Sequence, residues 1–353
     1  MGPATRKTKI DVGILGATGM VGQQFVLQLA GHPWFRTTWL GASQRSEGRR
    51  YGDLSWRLSG PMPDEVADLV VEPTVPGRGP ALLFSALDAS VAGDIERDLA
   101  AAGHVVVSNA RNHRMDPLVP LLVPEVNADH LALVPAQRQQ QGWRGAIVTN
   151  PNCSTVFLTM ALAALRQFGP SAVTVTTEQA TSGAGYPGVA SLDLLGNVVP
   201  FISGEEDKLE SEPRKILGTL TGGRVEPHPV LISAQTTRVP VVNGHTEMIS
   251  VRLDTKPTGE DVLSAFGSFC GRPQQLGLPT APARPIVYLR EPDRPQPRLD
   301  VDRERGMAVF IGRLRPCPVL GYKFVALGHN TVRGAAGAAV LNAELMAADG
   351  MLD

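Results

Sequence analysis

Apolar residues follow two different rhythms along this chain. In the first part, short unbroken apolar runs alternate with stretches of helical periodicity. Residues 9–15 (KIDVGIL) read as a buried strand, residues 21–29 as a helix and residues 37–41 (TTWLG) as a second strand. Further runs stand at 81–86 (ALLFSA), 104–108 (HVVVS) and 146–149 (AIVT), with a helix expected over 88–102. Strands alternating with helices predict parallel βαβ units.

Past residue 153 the pattern changes. Residues 154–168 read as a helix with apolar residues on more than one face. Alternating runs at 172–178, 230–239, 247–253 and 307–313 predict a mostly antiparallel sheet with helices over one face. The proline-rich stretch 273–298 reads as a long ordered connector. The alanine-rich end, 331–348, reads as a closing helix.

Composition narrows the function classes. Apolar residues make up 43% of the chain and charged residues 19%, which is ordinary for a globular protein. Lys plus Arg number 33 against 34 Asp plus Glu. That balance lacks the basic excess of a nucleic-acid binder and leaves any anionic ligand to a few local cations. The three cysteines, Cys153, Cys270 and Cys317, are too few and odd in number for a disulfide framework. They fit a reducing compartment, so a cytoplasmic protein is expected. The short basic N-terminus has no signal-peptide core, and no run of about 18 apolar residues exists to span a membrane. No metal site is expected.

The first strand runs into Gly13-Ile-Leu-Gly16-Ala-Thr-Gly19-Met-Val-Gly22. Gly16, Gly19 and Gly22 open a helix. Glycines there permit a tight turn and let backbone N–H groups approach a pyrophosphate at the helix N-terminus. The second strand leads into Gly41-Ala-Ser43-Gln-Arg45-Ser46, with no acid before Glu47. An acid for the ribose hydroxyls of NAD is missing, whereas Ser43 and Arg45 suit the 2′-phosphate of NADP. The expected fold is therefore α/β. A Rossmann-type NADP-binding domain spans 1–152 and is completed by 330–353; an α+β catalytic and dimerisation domain spans 153–329.

Cys153 lies in Thr-Asn-Pro-Asn152-Cys153-Ser-Thr, just ahead of a helix. At a helix N-terminus with cationic neighbours, a thiol pKa falls from about 8.5 to roughly 3.5–7.5. Such a thiolate attacks a carbonyl, and hydride loss from the thiohemiacetal gives a thioester. Cys270 and Cys317 have no comparable setting and are assigned to packing. A second cluster spans 235–247. His245 there is suited to pass protons at near-neutral pH, and Arg238 is a bidentate clamp for a carboxylate.

These stretches together are recognisable. GATGMVG, SNARNHRM with PEVN, NPNCST, QATSGAGYPGV, EEDK with PRKILG, RVPVVNGHTE and GHNTVRGAAGAAVLNAEL occur in this order over nearly the whole chain. The sequence resembles the aspartate-semialdehyde dehydrogenases, in the form typical of archaea and fungi. That family makes L-aspartate 4-semialdehyde from 4-aspartyl phosphate and NADPH, on the route to lysine, threonine and methionine. The resemblance implies Cys153 as nucleophile, His245 as acid/base and Gln179 as the glutamine that orients the intermediate. It implies Arg238 for the substrate carboxylate, Glu205 for its amino group, and Lys208, Arg114 and Asn152 around the phosphate. It further implies Thr18, Gly19, Met20 and Val21 for the pyrophosphate, and Ser85, Ser182, Gly183 and Asn330 for the rest of the cofactor. The assembly it implies is a homodimer or homotetramer.

The chemistry agrees with these roles. An acyl phosphate carries about two charges near pH 7 and needs cations such as Arg114 and Lys208. Three rivals stand beside this reading: a malonyl-CoA reductase using the same cysteine, an N-acetyl-glutamyl-phosphate reductase, and a catalytically silent NADP-binding protein. Glu205 favours an amino-bearing substrate over malonyl-CoA, which has no amine to pair with it.

Overall fold

The computed structural model describes residues 8–352; the expectations placed on residues 1–7 and 353 lie outside the described residues. The first half alternates as its apolar runs require. β1 (Ile10–Leu15) leads to α1 (Met20–Leu29), β2 (Phe35–Ala42), α2 (Asp64–Ala67), β3 (Val71–Pro73), β4 (Leu82–Ser85) and α3 (Ala89–Ala102). Then come β5 (Val105–Ser108), α4 (Pro124–Asn127), α5 (Leu133–Gln141) and β6 (Ala146–Thr149). The strands form a wholly parallel sheet in the order β3-β2-β1-β4-β5-β6. Every residue of β4, β5 and β6 is buried, which is why these runs show no polar alternation. The strand order reverses direction between β1 and β4, and ligands of such sheets bind beyond the strand ends at that point.

The second half opens with α6 (Cys153–Ala164), β7 (Pro170–Gln179), α7 (Ser191–Leu194) and α8 (Glu205–Ile216). A small hairpin, β8 (Thr219–Thr221) and β9 (Arg224–Glu226), precedes β10 (Leu231–Arg238) and β11 (His245–Leu253). α9 (Gly259–Ser268), α10 (Arg272–Leu276), β12 (Ile286–Leu289), α11 (Pro297–Asp300), β13 (Val309–Cys317), β14 (Gly321–Gly328) and α12 (Gly337–Ala348) complete the chain. The second sheet runs β10-β7-β11-β14-β13-β12. Its three central pairings are antiparallel and its two outer ones parallel.

α6 is apolar around nearly its whole circumference, and such a helix belongs in a core. Val156, Phe157 and Met160 pack there with Val173, Val175, Ile249, Val251 and Phe324 from the sheet. The opposite face of β10, β7 and β11 carries Leu231, Thr174, Met248 and Arg252, all exposed. α12 returns to the first sheet, where Ala339, Val340 and Leu341 share a core with Phe25, Val26 and Leu29.

Two expectations need correction. The stretch 273–298 is not free of regular structure. It contains most of α10, all of β12 paired in parallel with β13, and the start of α11. Pro273 and Pro297 sit in the first turns of their helices, where a missing N–H breaks no helical bond. The closing helix does not begin at 331 as a regular α-helix. Gly334 N–H donates to His329 O at 2.9 Å and Ala336 N–H to Thr331 O at 3.1 Å, so a π-helical turn over Val332–Ala336 precedes α12. Among the described residues, no helix is long and apolar enough to cross a membrane.

Candidate active site

A cleft of about 670 Å³ lies where the ends of the parallel strands meet the start of α6. Thr18, Gly19, Met20 and Val21 line one side; Arg114, Asn152, Cys153, Ser182, Gly183 and Asn330 line the other. The turn between β1 and α1 is built for close approach. Gly16 has φ of 71°, and a Cβ on Gly22 would lie 2.1 Å from Gly16 O. No side chain caps α1, so its first N–H groups are left for a ligand. Leu87 is shared with a neighbouring cavity of about 630 Å³, lined also by Ser43, Arg45, Glu47 and Thr74. The two spaces in line suit a dinucleotide. Ser85 is fully buried and lines neither cavity, whereas Ala86, Leu87 and Asp88 face the cleft.

Asn152 caps α6. Its Oδ1 accepts from Ser154 N–H at 3.0 Å and Thr155 N–H at 3.3 Å. Its Nδ2 donates to Glu205 Oε1 at 2.6 Å, which commits the side chain to structure as well as to the cleft. Cys153 is partly exposed, but the thiolate expected of a helix N-terminus does not follow. Burial, reinforced by the Glu205 carboxylate, pushes the Cys153 thiol up to about 12. The Ser154 N–H, Arg114 and Arg238 pull the other way and lose.

His245 opens β11 and is fully buried. Burial, and then the Arg238 charge, push its imidazole down to about 3, which corrects the expected near-neutral value. Its Nδ1 accepts from Ala180 N–H at 3.0 Å, so the neutral ring carries its proton on Nε2. A Cβ on Gly183 would lie 3.1 Å from that Nε2 and 3.0 Å from Arg238 Nη1. Gly183 thus separates both side chains from the cleft by little more than its own backbone. Arg238 donates Nη1 to Ala180 O at 2.6 Å. Asn330 accepts from Gly244 N–H at 2.9 Å and donates to Ser182 Oγ at 2.7 Å, bracing the loops beside His245. Glu247, two residues on from His245 along β11, is also fully buried, and neither of its oxygens makes a hydrogen bond. Burial raises its carboxyl well above the usual range, against the opposing effect of the Ser154 hydroxyl, so the fold favours the neutral acid.

The charged groups come as two pairs. Lys208 Nζ lies 2.9 Å from Glu205 Oε2, and Gln179 Nε2 donates to Glu205 Oε1 at 3.2 Å. Burial opposes ionisation of Glu205, but Lys208, Asn152 and Gln179 outweigh it and hold the carboxyl below its ordinary value. Arg114 donates Nη1 to Glu212 Oε1 at 2.9 Å, and Glu212 Oε2 accepts from Asn152 N–H at 2.7 Å. Lys208 and Arg114, expected beside a phosphate, are therefore each held by an acid.

Two family models match the chain. The semialdehyde dehydrogenase NAD-binding domain matches residues 11–134 and the semialdehyde dehydrogenase dimerisation domain residues 162–333. An aspartate-semialdehyde dehydrogenase of Archaeoglobus fulgidus is 49% identical over 96% of this chain and 98% of its own length. That of Schizosaccharomyces pombe is 48% identical over 97% of this chain and 99% of its own. The chain belongs to the aspartate-semialdehyde dehydrogenase family. A crystal structure of the Candida albicans family member with NADP superposes with a TM-score of 0.90 at 43% identity, covering 98% of this chain and 100% of that one.

Against that family background, Glu212 was missed by sequence reasoning, although its signal was present. Glu205, Lys208 and Glu212 follow the spacing of one helix face in the EEDK–PRKILG stretch. Arg57 and Tyr186 also line the cleft, the guanidinium 3.6 Å from the ring centroid. No spacing in the sequence links them.

Proposed function

We propose that the chain carries out the reversible, NADPH-dependent reductive dephosphorylation of L-4-aspartyl phosphate to L-aspartate 4-semialdehyde, through a thioester on Cys153, in lysine, threonine and methionine biosynthesis. One observation carries this reading: Cys153 opens onto the cleft lined by residues 18–21, so nucleophile and dinucleotide turn share one space. The bare glycine turn would hold the pyrophosphate, Ser43 and Arg45 the 2′-phosphate, and Ser182, Gly183 and Asn330 the nicotinamide end. When bound, NADPH supplies the hydride that reduces the thioester carbonyl.

The protein's own groups do the rest. Cys153 attacks as the thiolate, passing its proton to the substrate's phosphate as it does so; the C–S bond forms, the bond from carbonyl carbon to phosphate oxygen breaks, and the phosphate leaves with that proton. In the tetrahedral adducts the former carbonyl oxygen bears negative charge, and the Nε2–H of neutral His245 is the donor for it. When the thiohemiacetal collapses to aldehyde, the C–S bond breaks and the sulfur regains a proton, so one solvent proton is consumed per turnover. Arg238 takes the substrate carboxylate and Gln179 orients the intermediate. Glu205 takes the ammonium in exchange for Lys208, which then turns with Arg114 and Asn152 towards the phosphate.

The uncovered face of β10, β7 and β11 supports a homodimer, in keeping with the match to a dimerisation domain. The same reading divides the chain into a cofactor domain of 1–152 with 330–353 and a catalytic domain of 153–329, and puts the enzyme in the cytoplasm.

The test is spectrophotometric. Aspartate semialdehyde, phosphate and NADP⁺ should give reduced-nicotinamide absorbance, and Cys153→Ala should lose it while still binding NADP⁺. Turnover of malonyl-CoA with NADPH instead, or NADP⁺ binding with neither reaction, overturns the assignment.

A further inference from the structure

Among the described residues, Arg333 is the largest side chain that the fold buries completely. It sits in the π-helical turn Val332–Ala336, and its Nη2 donates to Glu125 Oε2 on α4 at 2.6 Å. Neither side chain of the pair has exposed surface. The pairing is incomplete: Arg333 Nε, Arg333 Nη1 and Glu125 Oε1 have no hydrogen-bond partner. A desolvated ion pair satisfied this poorly is a weak source of stability, since packed apolar residues often do as well. It does, however, pin a turn of a rare type that clusters at functional positions.

The other side of that turn lies against the nucleophile. A Cβ on Gly334 would come 2.5 Å from Cys153 Cβ and 3.0 Å from Cys153 Cα. Thr331, Gly334 and Ala335 line the cleft next to Cys153. Asn150, just after β6, donates Nδ2 to Ala335 O at 3.0 Å. One side of the turn is thus anchored in the protein interior while the other forms a wall of the thiol's surroundings.

We propose that Arg333 is a positioning residue: through Glu125 it holds the π-helical turn against Cys153 and so fixes the sulfur for attack. This rests on Cys153 being the nucleophile. Lysine at 333 keeps the charge but not the planar fork or its reach. Methionine at 333 with leucine at 125 removes both charges and refills the space.

The experiment compares Arg333→Lys, Glu125→Gln and the double variant Arg333→Met/Glu125→Leu. It measures melting temperature, kcat and KM per folded molecule, and the rate at which iodoacetamide alkylates Cys153 in the free protein. The expected result is a kcat lower by about 100-fold, the scale of an ångström-sized misplacement, with aldehyde KM within about twofold. Alkylation should quicken by about fivefold as the wall loosens. The double variant should regain melting temperature without regaining kcat. Glu125→Gln, the mildest change in shape, decides the matter if the others do not fold. The proposal is overturned if folded variants keep wild-type kcat and alkylation rate, or if kcat returns in step with melting temperature. An active Cys153→Ala would instead remove the nucleophile assignment, whatever the Arg333 variants do.

Discussion

A thiol pushed up to about 12 and an imidazole pushed down to about 3 both rest uncharged in the free protein. Burial is the first cause in each case, and it acts on opposite sides of neutrality because a thiol charges by losing a proton and an imidazole by gaining one. Alkylation of Cys153 by iodoacetamide should therefore rise steadily with pH up to at least about 9, because the thiolate fraction keeps growing below the thiol pKa. A plateau with a midpoint near neutrality would show a preformed thiolate and sink this account. Glu247 offers a stability test with a definite sign. Its carboxyl is neutral in the fold but ionises in the unfolded chain, so its contribution is intact at acid pH and is lost as pH rises above its ordinary value of 4.5. Glu247→Gln cannot ionise in either state. Its stability relative to wild type should grow by roughly 1.4 kcal/mol per pH unit while the folded carboxyl stays protonated. Urea unfolding at pH 6 and pH 8 measures this; a gap independent of pH means the acid is charged in the fold.

At the scale of elements, the glycine turn and the start of α6 were legible because local rules specify them. Gly16 and Gly22 stand where only glycine fits, and Asn152 is a preferred helix cap. Gly22→Ala should cripple that turn, since the added carbon would meet Gly16 O at 2.1 Å. NADP⁺ binding measured by fluorescence titration should weaken by about tenfold or more, as expected for a lost close approach to the pyrophosphate, while Cys153 alkylation stays unchanged. Unaltered binding would mean that this cleft is not the dinucleotide site. Other elements were hidden. β12 stands between prolines that read as a connector, and only its pairing with β13 makes it a strand. The π-helical turn has no signature in the alanine-rich run that contains it. The Arg114–Glu212 and Arg333–Glu125 pairs join distant parts of the chain. Periodicity is local, so it is silent about such contacts.

For the whole molecule, the two sheets differ in how they are covered. Strands β4, β5 and β6 of the first are buried on both faces, whereas the second sheet leaves Leu231 70% and Met248 39% exposed on the face away from α6. Charges placed there, as in Leu231→Glu/Met248→Glu, should shift the protein from dimer to monomer in sedimentation while leaving each fold intact. Unchanged sedimentation would place the subunit contact elsewhere. The return of α12 to the first core has a temporal side. The strands of the nucleotide-binding half leave the ribosome long before α12, the helix that closes over Phe25, Val26 and Leu29. During synthesis that half waits with an open hydrophobic flank, a state in which nascent chains are prone to aggregate. A stop codon just before residue 337 would leave it permanently in that condition.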